Sequence, residues 1–351
     1  MNTITIGNKK IGDSEPCFII AELSANHLKD FETAMKTLEA AADAGVDAFK
    51  IQTLTPDTMT IDCDNEYFTI NKGTIWDGRT LYDLYSETPL PYEWHKPIID
   101  KCEDLGLIWF STPYDKSATD FLEGFNPPAY KIASFEITDV SLITYIASKG
   151  KPVIISTGIA TEQEIEDALE ACRKAGNDQI ALLKCTSAYP APFEEINLKT
   201  MGDYKRRYGV VSGLSDHTLG TEVPVASVAL GGSIIEKHLI LDRNLGGPDA
   251  KFSLEPGEFK NLVSQVRNVE KALGEINYEL TDKASDNRMF ARSLFVVADV
   301  KAGEILSEEN VRSIRPGYGM APKYLDRVLG KKAAQELKRG TPLKAEQIEG
   351  F

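Results

Sequence analysis

Hydrophobic and polar positions keep one rhythm along most of the chain. Eight short runs are rich in β-branched and apolar residues: 17–24 (CFIIAELS), 48–53 (AFKIQT), 108–113 (IWFSTP), 129–134 (AYKIAS), 152–157 (PVIIST), 180–185 (IALLKC), 210–216 (VVSGLSD) and 233–239 (SIIEKHL). Stretches of helical periodicity separate most of them. Phe31, Ala34, Met35, Leu38 and Ala42 fall on one helical face, with Asp30 as N-cap and Gly45 just past the end. Thr161-x-x-Glu164 has the form of a capping box opening a helix through Ala175, and 255–273 reads as a long amphipathic helix. Residues 2–12 alternate about the turn dipeptide Gly7-Asn8 and read as a small hairpin.

Eight strand–helix units predict an α/β chain folded as a parallel (β/α)8 TIM barrel, with a doubly wound open sheet as the alternative. The barrel is favoured because each run begins apolar and ends polar. Glu22, Gln52, Thr112, Ser134, Thr157, Ser187, Asp216 and His238 stand at or just past the C-terminal strand ends. In a barrel those ends meet at one mouth, where active sites lie. Two connections are candidate covers for it. One runs from about Leu54 to Pro91 and carries Tyr67, Phe68, Trp76 and Tyr82; the other, LDRNLGGPDAKFS, carries Gly246-Gly247-Pro248. Near Leu273 the rhythm stops. The expected organisation is a catalytic barrel with its hairpin over 1–275, a polar linker over 276–289, and a small mostly-β domain over 290–351.

Composition narrows the partners. The net charge of −14 disfavours nucleic acid and anionic membrane. It leaves an anionic substrate open, because exposed charges are screened beyond about 10 Å, whereas one lysine about 4 Å from a phosphate is worth about 4 kcal/mol. No run of apolar residues is long enough to span a bilayer, and the N-terminus lacks the apolar core of a secretory signal. Five cysteines without CxxC spacing point to a reducing, cytoplasmic setting.

Two of only four histidines, His217 and His238, close neighbouring strands. A single histidine in such a place is ordinarily packed or capping; two at adjacent strand ends can share a divalent metal. With no cysteine paired to them the site suits Mn²⁺ or Co²⁺, with Mg²⁺, Fe²⁺ and Zn²⁺ left open. Asp216 is read as a further ligand or, in preference, as orienting one imidazole. Glu22 is the candidate proton carrier, or alternatively the salt-bridge partner of Lys50 or Lys131. Lys50, Lys131 and Lys184 lie within strands near their ends, and lysines buried there suggest an anion site; a Schiff-base aldolase is the rival use of one of them. Ser134, Ser156, Thr157, Ser187 and Ser215 add hydroxyl donors. His27 reads as a hydrogen-bonding loop residue, and Cys185 as a packed thiol with no base in evidence. No GxGxxG or P-loop occurs, so a nucleotide is not indicated.

The motifs AELSANH, KIQT, FSTPYD, YKIASFE, ISTGIAT, LLKCTSAYP, GLSDHT, EKH, GGPDAKFSLEP and RPGYG follow in order the pattern of the sialic acid synthase family, which this chain resembles over almost its whole length. Within it, LSANH, TIWDGRTLYDLY and YKIASFEITD look most like the pseudaminic acid branch, and less like the N-acetylneuraminate and legionaminate branches. The last 60 or so residues resemble the antifreeze-like (SAF) domain of these enzymes. The resemblance implies condensation of phosphoenolpyruvate with an N-acylated amino sugar, here 2,4-diacetamido-2,4,6-trideoxy-L-altrose, to a nonulosonic acid and phosphate by C–O cleavage. It implies metal ligands at His217 and His238 and a catalytic carboxylate at Glu22. Lys50, Thr112, Lys131 and Ser156 would hold the phosphoenolpyruvate carboxylate, and Ser134, Ser187 and Ser215 would lie near the phosphate, Ser187 replacing an asparagine of the neuraminate branch. Tyr189, Asp249 and Phe290 would lie on the sugar side. Arg315 would reach the partner's active site in a domain-swapped homodimer. A non-catalytic carbohydrate-binding protein is the alternative of another class.

Overall fold

The eight apolar runs form eight parallel strands because each has the residues and length of a strand buried on both faces. A computed structural model describes residues 3–74 and 76–351; Met1, Asn2 at the start of the expected hairpin, and Ile75 within TIWDGRTLYDLY lie outside the described residues. The antiparallel hairpin β1 (Ile4–Ile6) and β2 (Lys9–Ile11) comes first. Then follow β3 (Phe18–Glu22), β4 (Ala48–Thr53), β5 (Ile108–Pro113), β6 (Tyr130–Ile132), β7 (Val153–Ser156), β8 (Ile180–Cys185), β9 (Val211–Asp216) and β10 (Ile234–His238). Each pairs with the next, and β10 pairs with β3, closing the barrel. The closing register sets His238 opposite Glu22, and Glu22 opposite Lys50.

The helices start and stop where local chemistry directs. Asp30 caps the helix Phe31–Ala44 by accepting from Thr33 N, and Gly45 ends it at φ 82°, a conformation glycine adopts without a Cβ clash. Thr161 and Glu164 form the expected capping box ahead of the helix Glu162–Lys174. Glu255 is the N-cap of Pro256–Leu273.

Strand parity divides the barrel into tiers. Phe18, Ile20, Ala48, Phe110, Ile154, Ala181, Leu183, Val211 and Ile234 fill the lower interior together with Ile4, Ile6 and Ile11 of the hairpin, which plugs the N-terminal end. Each large apolar side chain buried there contributes about 1.5–3 kcal/mol. The opposite strand faces pack against the helices in the larger outer core. At the N-terminal end a charged cluster is fully connected. Asp47 accepts from Ile19 N (2.8 Å) and Arg267 Nη2 (2.9 Å) and pairs with Lys9; Arg267 also reaches Cys17 O (2.8 Å) and Glu270 (3.0 Å).

The chain separates into two compact units, Met1–Gly274 and Glu275–Phe351. The second holds the antiparallel pair β11 (Ser293–Val296) and β12 (Val311–Ile314), around a core of Leu294, Val296, Val300, Leu306, Val311, Leu337 and Leu343. Residues 276–289 are not a plain linker. They include the helix Asp282–Asp286, capped by Thr281, and the 3-10 turn Asn287–Phe290. Gly317 N donates to Met289 O (3.0 Å), which ties the segment to the small unit.

Candidate active site

Counting in twos from the apolar interior positions brings polar side chains to the mouth: Glu22 on β3, Lys50 and Gln52 on β4, Thr112 on β5, Lys131 on β6, Ser156 on β7, Cys185 on β8, Ser215 on β9, and Glu236 and His238 on β10. Glu22, Lys50, Gln52, Lys131, Ser134, Ser156, Tyr189, Ser215, His217, Glu236, His238 and Asp249 line one cavity in the barrel unit.

Its floor is a lattice of four buried charges. Lys50 Nζ lies 2.5 Å from Glu22 Oε2 and 3.7 Å from Glu236 Oε1. Lys131 Nζ lies 3.4 Å from the same Glu236 oxygen, which also accepts from Ser215 Oγ (3.3 Å). Lys50 donates to Thr112 Oγ1 (3.3 Å), and Gln52 Nε2 donates to Glu22 Oε1 (2.8 Å). Burial pushes the Glu22 carboxyl up, against the pull of Lys50. Burial would also raise Glu236, but Lys131 and Lys50 outweigh it and hold it low. Burial lowers Lys131; for Lys50 the two carboxylates outweigh burial and raise it.

Beside this floor the rings of His217 and His238 stand 5.3 Å apart, centroid to centroid. His217 Nδ1 faces Thr186 O at 3.1 Å. His238 is pushed well below the usual imidazole range by burial and then by His217 and the lysines. Its buried Nδ1 has no hydrogen-bond partner among the described residues and lies 3.8 Å from Asp249 Oδ2. A neutral ring with a free nitrogen beside a second imidazole fits a divalent cation. Among the described residues no three His, Cys, Asp or Glu side chains gather as a metal cage, so the protein would supply two ligands and leave the other positions to water and substrate.

Hydroxyls and one glycine shape the adjoining wall. Ser134 Oγ accepts from Gly158 N (3.0 Å), while Ser156 Oγ and Ser187 Oγ are buried with no hydrogen-bond partner among the described residues. A Cβ on Gly158 would come within 2.1 Å of Ser187 Oγ and 2.7 Å of Ser134 Oγ, so only glycine fits. Tyr189 lies on His217 (4.6 Å) and Phe252 (5.0 Å). Leu54, Met59, Trp76, Leu84, Tyr85 and Thr88 from the long connection, and Pro248, Asp249 and Phe252 from the Gly-Gly-Pro connection, complete the enclosure.

Several expected residues lie elsewhere. Lys184 alternates with Cys185 and faces away from the cavity, donating to Cys185 O (2.6 Å). Asp216 does not orient a histidine; it pairs with Lys237 on the outer face (2.5 Å) and accepts from Thr218. Thr157 bonds Leu183 O and Tyr204 on that same outer side. Phe290 and Arg315 belong to the second unit, where both are exposed. Cys185 does have a base beside it: its Sγ is 3.7 Å from His217 Nδ1, and that ring, working against burial, brings the thiol down to about 7. His27 bonds backbone at Thr88 and Lys29. Glu236 and Glu136 were overlooked in the sequence, and Trp76 was named there only as part of a candidate cover. Glu236 sits two positions before His238 and so shares its face. Glu136 lines the cavity with an unpartnered Oε2, and burial raises it to about 7.

The model of the NeuB family matches residues 37–278, and that of the SAF domain matches 291–349. The chain is 48% identical to the pseudaminic acid synthase of Campylobacter jejuni strain 81-176, over 97% of this chain and 98% of that one. It is 44% identical to the Helicobacter pylori enzyme of the same name, over 95% and 98%. Among solved structures, the N-acetylneuraminic acid synthetase of Leptospira borgpetersenii matches with a TM-score of 0.73 at 31% identity, covering 82% of this chain and 95% of that one. The closed barrel, its charged mouth and these matches agree: the chain belongs to the NeuB family and carries a SAF domain after its barrel.

Proposed function

We propose that this protein is a pseudaminic acid synthase, a transferase that joins phosphoenolpyruvate to 2,4-diacetamido-2,4,6-trideoxy-L-altrose and water, giving pseudaminic acid and phosphate. The observation that carries the reading is the pair of buried lysines, Lys50 and Lys131, beside two imidazoles 5.3 Å apart. The identity to synthases of that name supports the choice of sugar.

His217 and His238 would hold a divalent cation, Mn²⁺ or Co²⁺ before Mg²⁺, which supplies Lewis acidity to the sugar's aldehyde oxygen. Lys50, Lys131 and Thr112 bind the phosphoenolpyruvate carboxylate, with Ser156 as a further donor. Ser134, Ser187 and Ser215 bind the phosphate. Held in this way, C3 of phosphoenolpyruvate adds to the aldehyde carbon, water adds at C2, and the C2–O bond breaks so that the bridging oxygen leaves with phosphate. Glu22, its carboxyl pushed up by burial against the pull of Lys50, moves the protons at the reacting oxygens. Tyr189 and Asp249 receive the sugar. The enzyme acts in the cytoplasm as a domain-swapped homodimer in which Arg315 enters the partner's cavity.

Phosphate release is expected only with phosphoenolpyruvate, the diacetamido sugar and metal together. Chelation stops it and Mn²⁺ restores it. Release that survives complete metal removal, or bridging ¹⁸O retained in the sugar acid, sinks the reading. Mixing inactive Arg315→Ala and Glu22→Ala subunits restores activity if the site is shared; no recovery after verified subunit exchange ends the dimer claim.

A further inference from the structure

One turn of the long connection is held more firmly than a surface loop needs. The Asp77 carboxylate accepts from the backbone N–H groups of Lys72 (3.2 Å), Gly73 (2.8 Å) and Thr74 (2.9 Å) and from Thr74 Oγ1 (3.0 Å). Thr74 Oγ1 accepts from Trp76 N (3.2 Å), and Gly78 N donates to Ile70 O (2.8 Å). Among its described residues the clamp presents Trp76 to the cavity, with its ring 5.6 Å from that of Tyr189. Its indole Nε1 is sealed from solvent and has no acceptor among the described residues. An indole nitrogen can only donate, and a buried tryptophan N–H normally finds a partner. The connection that carries it also lines the cavity with Leu54, Met59 and Leu84. Tyr189 stands between Trp76 and His217, so the indole is one ring removed from the imidazole pair.

Donor, apolar lining and depth together describe a receptor for an acylamino group away from the reacting carbon. We infer that Trp76 sets specificity: its Nε1–H takes the carbonyl of the sugar's second acylamino group, three carbons beyond the aldehyde, while the acyl methyl lies on Leu54, Met59 and Leu84. This rests on the proposed synthase reading. An acylamino group on the carbon next to the aldehyde stays beside the imidazoles. A hydroxyl at the fourth carbon is shorter by an acyl unit and leaves the N–H unpaired, so the site discriminates by the cost of a buried orphan donor.

The test is phosphate release by Trp76→Phe, which keeps an aromatic wall and removes only the donor. Its substrates are the 2,4-diacetamido sugar and the matching 4-hydroxy sugar, the latter followed by competition where turnover is too slow. Stabilisation of the variant by phosphoenolpyruvate serves as the check on folding. The expected result is about a tenfold fall in kcat/KM for the diacetamido sugar, mostly in KM, with the 4-hydroxy sugar unchanged. With the unaltered protein, replacing the 4-acetamido oxygen by sulfur, a poorer acceptor, should also lower kcat/KM. Equal losses on both sugars, or no loss on either, overturn the inference while leaving the synthase reading intact. If the unaltered protein releases no phosphate with the diacetamido sugar, the synthase reading fails first and the inference falls with it.

Discussion

The barrel buries charge at both ends, and the two ends treat it differently. At the N-terminal end Asp47, Arg267, Glu270 and Lys9 satisfy one another and the backbone of Ile19 and Cys17. At the C-terminal end the charges are also paired, yet Trp76 Nε1, Glu136 Oε2, Ser156 Oγ, Ser187 Oγ, Glu236 Oε2 and His238 Nδ1 are buried with no partner among the described residues. Each orphan costs about 1–3 kcal/mol, so a chain would not accumulate them where only stability matters. The closed network belongs to the fold, and the open one waits for atoms that a ligand brings.

Isosteric substitutions should separate the two ends most sharply. Glu22→Gln is expected to cut phosphate release by about 10²–10⁴-fold and, because it breaks the buried pair with Lys50 (2.5 Å), to lower the unfolding midpoint as well. Asp47→Asn at the other end should leave turnover per folded molecule intact and lower the unfolding free energy by about 1–3 kcal/mol, since its partners are half-exposed. Equal loss of activity in both variants would erase the contrast. The second effect is in pH. Glu136 titrates near 7 in the folded chain and near 4.5 when unfolded, so between those values the folded state holds the extra proton and stability falls as pH rises. Glu136→Gln removes that loss, and the variant should gain roughly 3 kcal/mol on the parent between pH 4.5 and 7. Parallel denaturation curves at pH 5 and pH 8 would argue against an uncompensated carboxyl there. The smallest effect concerns hydroxyls. Ser111 Oγ donates to Ile51 O (3.1 Å) and bonds Thr53, and Ser111→Ala should cost about 1 kcal/mol of stability without changing KM. Ser156→Ala should do the reverse, raising the KM for phosphoenolpyruvate about five- to tenfold at no cost in stability.

The same two-residue period explains what could be read in the sequence and what could not. Runs such as PVIIST and IALLKC announce strands because β-branched residues suit an extended backbone buried on both sides, and their polar last residues mark the mouth. His217, His238, Glu22, Lys50 and Lys131 were recoverable from those ends. Parity was the missing step. Counting back in twos from His238 selects Glu236 and rejects Lys237, and counting from Ala181 and Leu183 selects Cys185 and rejects Lys184. Asp216 fails the same count and finds Lys237 instead. Trp76 and Glu136 lie in connections, where no period operates and only the folded path of the backbone decides what a side chain faces.

Gly158 carries a consequence out of proportion to its size. One hydrogen there leaves room for two serine oxygens to stand side by side; a single methyl in its place would push Ser134 and Ser187 apart while hardly troubling the strand before it. Under the proposed phosphate role of those two serines, Gly158→Ala should leave the barrel folded and raise the KM for phosphoenolpyruvate.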